Sequence, residues 1–109
     1  MKGLVISFIS REVQLSEYDW ANILFDDVCV GKARCLIEDN KFTIFSINVY
    51  PEFQGKGYGK AFVDSIILRF DTIIADKVRF TAIKFWESEG FIKDGESGNW
   101  IYHKVLPII

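Results

Sequence analysis

Two regimes of hydrophobic patterning divide this 109-residue chain. Up to Val49 the apolar residues come in β-branched and aromatic runs separated by short polar breaks; beyond Pro51 they recur at helical spacing. Residues 3–9 read as a first strand, and 11–17 are polar without a clear period. Residues 18–25 fit a short helix capped by Ser16, with Asp19 completing a capping box, or a strand ending at the turn Asp26-Asp27. The strand is the preferred reading. Residues 28–37 and 41–49 are long apolar runs on either side of Glu38-Asp39-Asn40, which predicts a hairpin. Their two-sided hydrophobicity predicts a sheet covered on both faces.

Pro51 stops the second of these strands, since it cannot donate to a ladder. Gly55, Gly57 and Gly59 follow, and then Phe62, Ile66 and Phe70 recur every four residues, with Ala61 beside Phe62 and Leu68 on the flank. The unit is therefore strand, glycine-rich turn, helix. Thr72-Ile-Ile-Ala75 is short enough for a parallel strand closing a β-α-β unit. A second helix is predicted with Asp76 as N-cap, Val78, Ala82, Phe85 and Glu89 on one side, and Ile83 and Trp86 flanking. Gly90 ends it as a C′ residue, with Phe91 packing back. A turn over 94–98 then joins strands 90–93 and 99–106 in a C-terminal hairpin. The predicted class is α/β (α+β), a mixed and mostly antiparallel sheet, with residues 1–109 forming one domain.

Composition narrows the function classes. Half the residues are apolar and ten are Phe, so the chain is not a disordered one. The net charge is −2, with Lys and Arg dispersed, against the basic stripe of a nucleic-acid-binding face. No apolar run is long enough to span a bilayer, and the N-terminus lacks a signal peptide's layout, so no membrane association and a cytoplasmic location are expected. Cys29 and Cys35 are the only cysteines, roughly 20 Å apart if both lie on one strand. With no CxxC pair or His cluster, no metal site is expected.

The glycine-rich turn carries the chemistry. First-turn helix N–H groups lack intrahelical partners, and the helix dipole adds positive charge there. Glycines let that backbone approach a ligand closely, so the turn reads as a phosphate or pyrophosphate cradle, with Lys56 and Lys60 at its rim. A P-loop is excluded because Ala61, not Ser or Thr, follows Lys60. The Rossmann fingerprint is excluded because Gly59 comes one residue early. That disfavours an ATP- or NAD-binding protein.

Val49-x-Pro51-x-x-Gln54-Gly55-Lys56-Gly57-Tyr58-Gly59 instead resembles motif A, [QR]-x-x-G-x-[GA], of the GCN5-related N-acetyltransferases, the GNAT family. Ala82-x-x-x-Trp86-x-x-x-Gly90-Phe91 is similar to that family's motif B, with Arg79 where Asn is common. The resemblance covers residues 28–106. It implies that amides of Gln54, Gly55, Lys56, Gly57, Tyr58, Gly59 and Lys60 hold the coenzyme A pyrophosphate. It also implies that the backbone of Ile47 and Val49 bonds the pantetheine arm like an added strand, beside Trp86.

Two departures from the family pattern stand out. Only residues 10–27 are available where the family commonly has two helices shaping the acceptor pocket. Trp86 occupies the place of a Tyr that protonates the leaving thiolate, and an indole N–H is a donor that does not titrate usefully. No carboxylate lies in the strand 41–49, so Glu38 and Glu52 beside turns, Tyr102 and His103 are the catalytic candidates, none singled out. The expectation is an acetyl-CoA-dependent N-acetyltransferase acting on a small-molecule or peptide primary amine by direct attack. The alternative is a non-catalytic acyl-CoA-binding or partner-binding module. The resemblance leaves a homodimer open.

Overall fold

The computed structural model describes residues 1–104. Seven strands form one sheet: β1 (Leu4–Ile9), β2 (Asp19–Phe25), β3 (Val28–Glu38), β4 (Lys41–Val49), β5 (Thr72–Ala75), β6 (Ile92–Lys93) and β7 (Trp100–His103). Their order is β1-β2-β3-β4-β5-β7-β6, and among the described residues only β4 and β5 run parallel. The helices are α1 (Arg11–Gln14), α2 (Tyr58–Arg69) and α3 (Ile83–Ser88). The last two positions of the predicted strand 99–106 lie outside the described residues.

The first hairpins follow from local chemistry. Asp39 takes a positive φ of 52° at the turn between β3 and β4, which an Asp side chain tolerates. Residues 19–25 form a strand, and the Ser16 hydroxyl accepts from the Tyr18 amide in a local turn rather than capping a helix. The polar stretch before it supplies α1, whose Arg11 amide and guanidinium both donate to buried Asp19.

The core lies on one face of the sheet. Ile6, Ala21, Ile23, Ala33, Cys35, Phe42, Ile44, Ile73 and Ala75 are buried there, under Phe62, Val63 and Ile66 of α2. Phe42 meets the rings of Phe62 and Phe70, with centroids 6.3 and 5.0 Å away. α3 covers the same face, through Trp86 against Phe91 (4.7 Å) and Phe91 against Tyr102 (5.6 Å). Coverage on both faces is therefore corrected. Val5, Trp20, Asn22, Lys32 and Arg34 point the other way, and no described helix packs over them. Burial on the core face drives the Cys35 thiol up to about 12, reinforced by the charge of Asp19.

The second helix is shorter than predicted. Asp76 is not an N-cap: Lys77 takes φ 47°, its amide donates to Asn99 Oδ1 (2.9 Å), and the Val78 amide donates to the Gly98 carbonyl (2.9 Å). These bonds to the hairpin turn hold residues 77–79 out of helix, and α3 begins only after a 3-10 turn at Phe80–Ala82. Its end is as predicted. Gly90, φ +91°, donates to the Glu87 carbonyl and Phe91 to the Trp86 carbonyl, each at 3.0 Å, in a Schellman arrangement.

Candidate functional site

The site begins where the sheet divides. β4 and β5 pair only from Lys41 with Thr72 to Ile44 with Ala75. Across β4's other edge, Arg34 opposes Ser46 and Cys35 opposes Ile44, leaving Phe45 as the extra residue of a bulge. The Asp76 amide donates to the Ile44 carbonyl (2.9 Å), and beyond it the strands part around a cleft of about 580 Å³. Phe45, Ser46, Ile47 and Val49 line one wall, residues 75–79 the other, and Ala82, Phe85 and Trp86 close the base.

The cleft exposes a strand edge. Along an antiparallel pair, alternate residues direct their backbone groups toward and away from the partner. The Tyr50 amide donates to Val30 of β3 (2.9 Å), so Val49 and Ile47 direct theirs into the cleft. Gln54 Nε2 donates to the Val49 carbonyl (3.0 Å), tying the following loop to the strand and leaving the Val49 N–H open.

At the head of the cleft stands the glycine turn. Gly55 and Gly57 have φ of +79° and +85°, which glycine adopts without the penalty a Cβ brings. Gly57 is the N-cap of α2 and no side chain caps the helix, so its first-turn amides face outward unpaired. A Cβ built on Gly55, Gly57 or Gly59 meets nothing within 4 Å, so the turn presents an open backbone surface. Tyr58 anchors it from beneath, buried between Phe25 and Phe53 with ring centroids 5.3 and 6.4 Å away.

The two lysines differ. Lys56 is exposed in the turn, whereas Lys60 reaches Asp64 (2.9 Å) and Glu89 (3.3 Å), bridging α2 to the end of α3. Glu89's side chain is 3% exposed, and burial followed by Asp64 raises its pKa above the usual carboxylate value. A hydrogen bond shared with Glu89, with Lys60 assisting, holds Asp64 below its own.

The four catalytic candidates lie apart from the cleft. Glu38 pairs with Lys41 (3.6 Å) at the far hairpin turn, and Glu52 is exposed in the 3-10 turn Pro51–Phe53. Tyr102 packs on the core face against Phe91, and exposed His103 lies 3.4 Å from the Thr72 hydroxyl. Trp86 does line the cleft, 7% exposed between Phe85 and Phe91. Arg79 lines it too. Sequence reasoning missed Asp76, the one carboxylate among the described cleft-lining residues, by assigning it to a helix cap. The available signal was its place directly after a parallel strand, where α/β sheets bind ligands.

A family model described as an acetyltransferase (GNAT) domain matches residues 18–93. An uncharacterized N-acetyltransferase of Oceanobacillus iheyensis is 37% identical over 51 residues, covering 47% of this chain and 31% of that protein. The matched segment thus spans about a third of that relative's length. A GNAT family acetyltransferase from Elizabethkingia anophelis, solved with acetyl-CoA bound, superposes with a TM-score of 0.68 at 14% identity, covering 95% of this chain and 100% of that one. A Bacillus subtilis acetyltransferase in complex with CoA gives 0.65 at 16% identity, covering 94% and 99%. At these identities the structural likeness is one of fold.

Proposed function

Since the chain belongs to the acetyltransferase (GNAT) family, we propose that it binds acetyl-CoA in the β4/β5 cleft and transfers the acetyl group to a primary amine. One observation carries this reading: the open edge of β4 at Ile47 and Val49 runs directly into an uncapped, open glycine turn. The edge matches the amide-bearing pantetheine arm, which adds to it as a strand would. The turn matches the pyrophosphate, which takes the amides of Gly55, Gly57, Tyr58 and Gly59 at the helix terminus, with Lys56 alongside. In this reading Gln54 acts by fixing the turn, Lys60 by joining α2 to α3, and Trp86 as part of the base of the cleft. The acetyl-CoA and CoA bound in the Elizabethkingia and Bacillus structures support the assignment.

The amine attacks the thioester carbonyl directly. A carbon–nitrogen bond forms, the carbon–sulfur bond breaks, and the backbone N–H of the cleft edge at Ile47 polarises the carbonyl oxygen. Asp76 takes the proton from the attacking amine, being the carboxylate that faces the cleft. The leaving thiolate has an ordinary thiol pKa of about 8.5 and takes its proton from water, since Trp86 cannot supply one. The acceptor is a small-molecule or peptide amine, and the reaction belongs in the cytoplasm.

Incubation with acetyl-CoA and a panel of amines, followed by mass spectrometry, tests the reading. Acetylated amine above the uncatalysed rate is expected. Trp86 in place of a phenol favours the second reading, a coenzyme-binding module without transfer, which predicts saturable CoA binding and no product.

A further inference from the structure

The face of the sheet opposite α2 and α3 carries a guanidinium without a counter-ion among the described residues. Arg34 lies over the Tyr18 ring at 4.7 Å, and that ring meets Phe45 edge-on at 5.1 Å. Arg34 Nε is buried with no hydrogen-bond partner among the described residues. No described carboxylate comes within ion-pair distance of the guanidinium. A buried donor without an acceptor costs free energy, and the ring face beneath this half-buried guanidinium supplies none.

Its position connects it to the cleft. Arg34 stands directly opposite Ser46, and Phe45 and Ser46 both line the cleft wall. Asp76 shares this face: Ile73 and Ala75 point into the core, so strand alternation turns Ile74 and Asp76 outward. The open face thus presents a cation on one side of the cleft and a carboxylate on the other. Lys32, over the Trp20 ring at 5.0 Å, is the neighbouring cation on the same face.

Resting on the acetyltransferase reading, we infer that Arg34 determines acceptor specificity and that the acceptor is an amine carrying a carboxylate, an amino acid by chemical class. The carboxylate takes the end of the guanidinium fork, a planar match that an ammonium does not offer. The amine then points toward Asp76 and the acetyl group, and the acceptor's side chain lies on Tyr18 and Phe45. Asp76 on the same face disfavours a phosphate dianion in place of the carboxylate.

The test is a binding measurement on CoA-saturated protein, so it does not depend on turnover. N-acetylglycine, N-acetylleucine and N-acetylphenylalanine are titrated against their primary amides, with O-phosphoethanolamine as the phosphate arm. At least one carboxylate is expected to bind about tenfold or more tighter than its amide. Arg34→Gln should abolish that difference and Arg34→Lys should reduce it, with CoA affinity and melting temperature reporting on the fold of each variant. Equal binding of acid and amide, no binding of either, tighter binding of O-phosphoethanolamine, or a preference that survives in folded Arg34→Gln overturns the inference. Equal binding of acid and amide in the parent overturns the inference without any variant; because Lys77 and Arg79 also line the cleft, a parent preference is assigned to Arg34 by Arg34→Lys should Arg34→Gln fail to fold. Arg34-dependent carboxylate binding without acetyl transfer upholds this site and sinks the transferase reading; transfer indifferent to the carboxylate does the reverse.

Discussion

The Asp76 amide donates to the Ile44 carbonyl at 2.9 Å, and this is the last backbone bond joining β5 to β4 among the described residues. One residue closes the paired part of the sheet with its backbone and offers its carboxylate to the gap beyond. Asp76→Asn keeps the backbone bond and the side-chain shape, and removes only the proton acceptor. A general base typically contributes about 10²–10⁴-fold, so kcat should fall by that order while CoA affinity holds. Steady-state acetyl transfer and CoA calorimetry on the same sample check this. An unchanged kcat removes Asp76 from the mechanism.

Gly59 gives the cleanest probe of the turn. It lies inside α2 without the positive φ of Gly55 and Gly57, and an added methyl would project into open space. Gly59→Ala should therefore stabilise the free protein by about 0.5–1 kcal/mol, as helix propensity dictates. The same methyl should weaken CoA binding by crowding the pyrophosphate. Thermal melting and calorimetry should move in opposite directions. Gly57→Ala is less informative, because forcing a Cβ into left-handed backbone itself costs about 1–2 kcal/mol.

The lysines of the turn should separate in kind. Lys56 is free to meet an anion, so Lys56→Ala should weaken CoA binding a few-fold, in line with about 0.3–1 kcal/mol at a helix terminus, and the loss should shrink as salt rises. Lys60 is engaged by Asp64 and Glu89, so Lys60→Ala should act first on thermal stability. CoA titrations at two salt concentrations and melting curves distinguish the two. A large, salt-independent loss at Lys56 would contradict an exposed rim contact.

Glu89 sets a pH dependence whose sign is fixed by its surroundings. Burial and Asp64 raise its folded pKa above the ordinary value of 4.5, so the folded state holds its proton to higher pH than the unfolded chain. Stability from this group is full below about 4.5 and is lost as pH rises through the raised folded value. Asp64 is shifted downward and acts in the opposite sense, below its ordinary 3.8. The parent's stability minus that of Glu89→Gln should therefore fall as pH rises from 4.5. Denaturant unfolding across that range measures the difference, and a flat or rising one refutes the assignment.

What the sequence revealed, and what it hid, divides by the range of the interaction. Pro51, the alternating glycines and the Phe62/Ile66 spacing specify strand, turn and helix within a few residues, and Gly90 specifies its own C-cap. The start of α3 was misread because the Val78 amide is taken by Gly98, a bond that local propensity cannot anticipate. The bare face was misread because the apolar runs of β3 and β4 look alike whether a helix or an aromatic and cationic layer lies over them. Lys60 read as a free rim charge because its buried partner Glu89 arrives from another helix. The strand–turn–helix unit was legible. The placement of Arg34, Phe45 and Asp76 was not, since it depends on the pairing of three strands.

Amide chemical-shift mapping of the parent protein titrated with CoA tests the central claim most directly. Coenzyme lying along the β4 edge and capping α2 should shift the amides of Ile47, Val49, Gly55, Gly57, Tyr58 and Gly59 together, saturably and with one dissociation constant. Shifts that leave these amides unmoved, or the absence of saturable binding, would contradict the account.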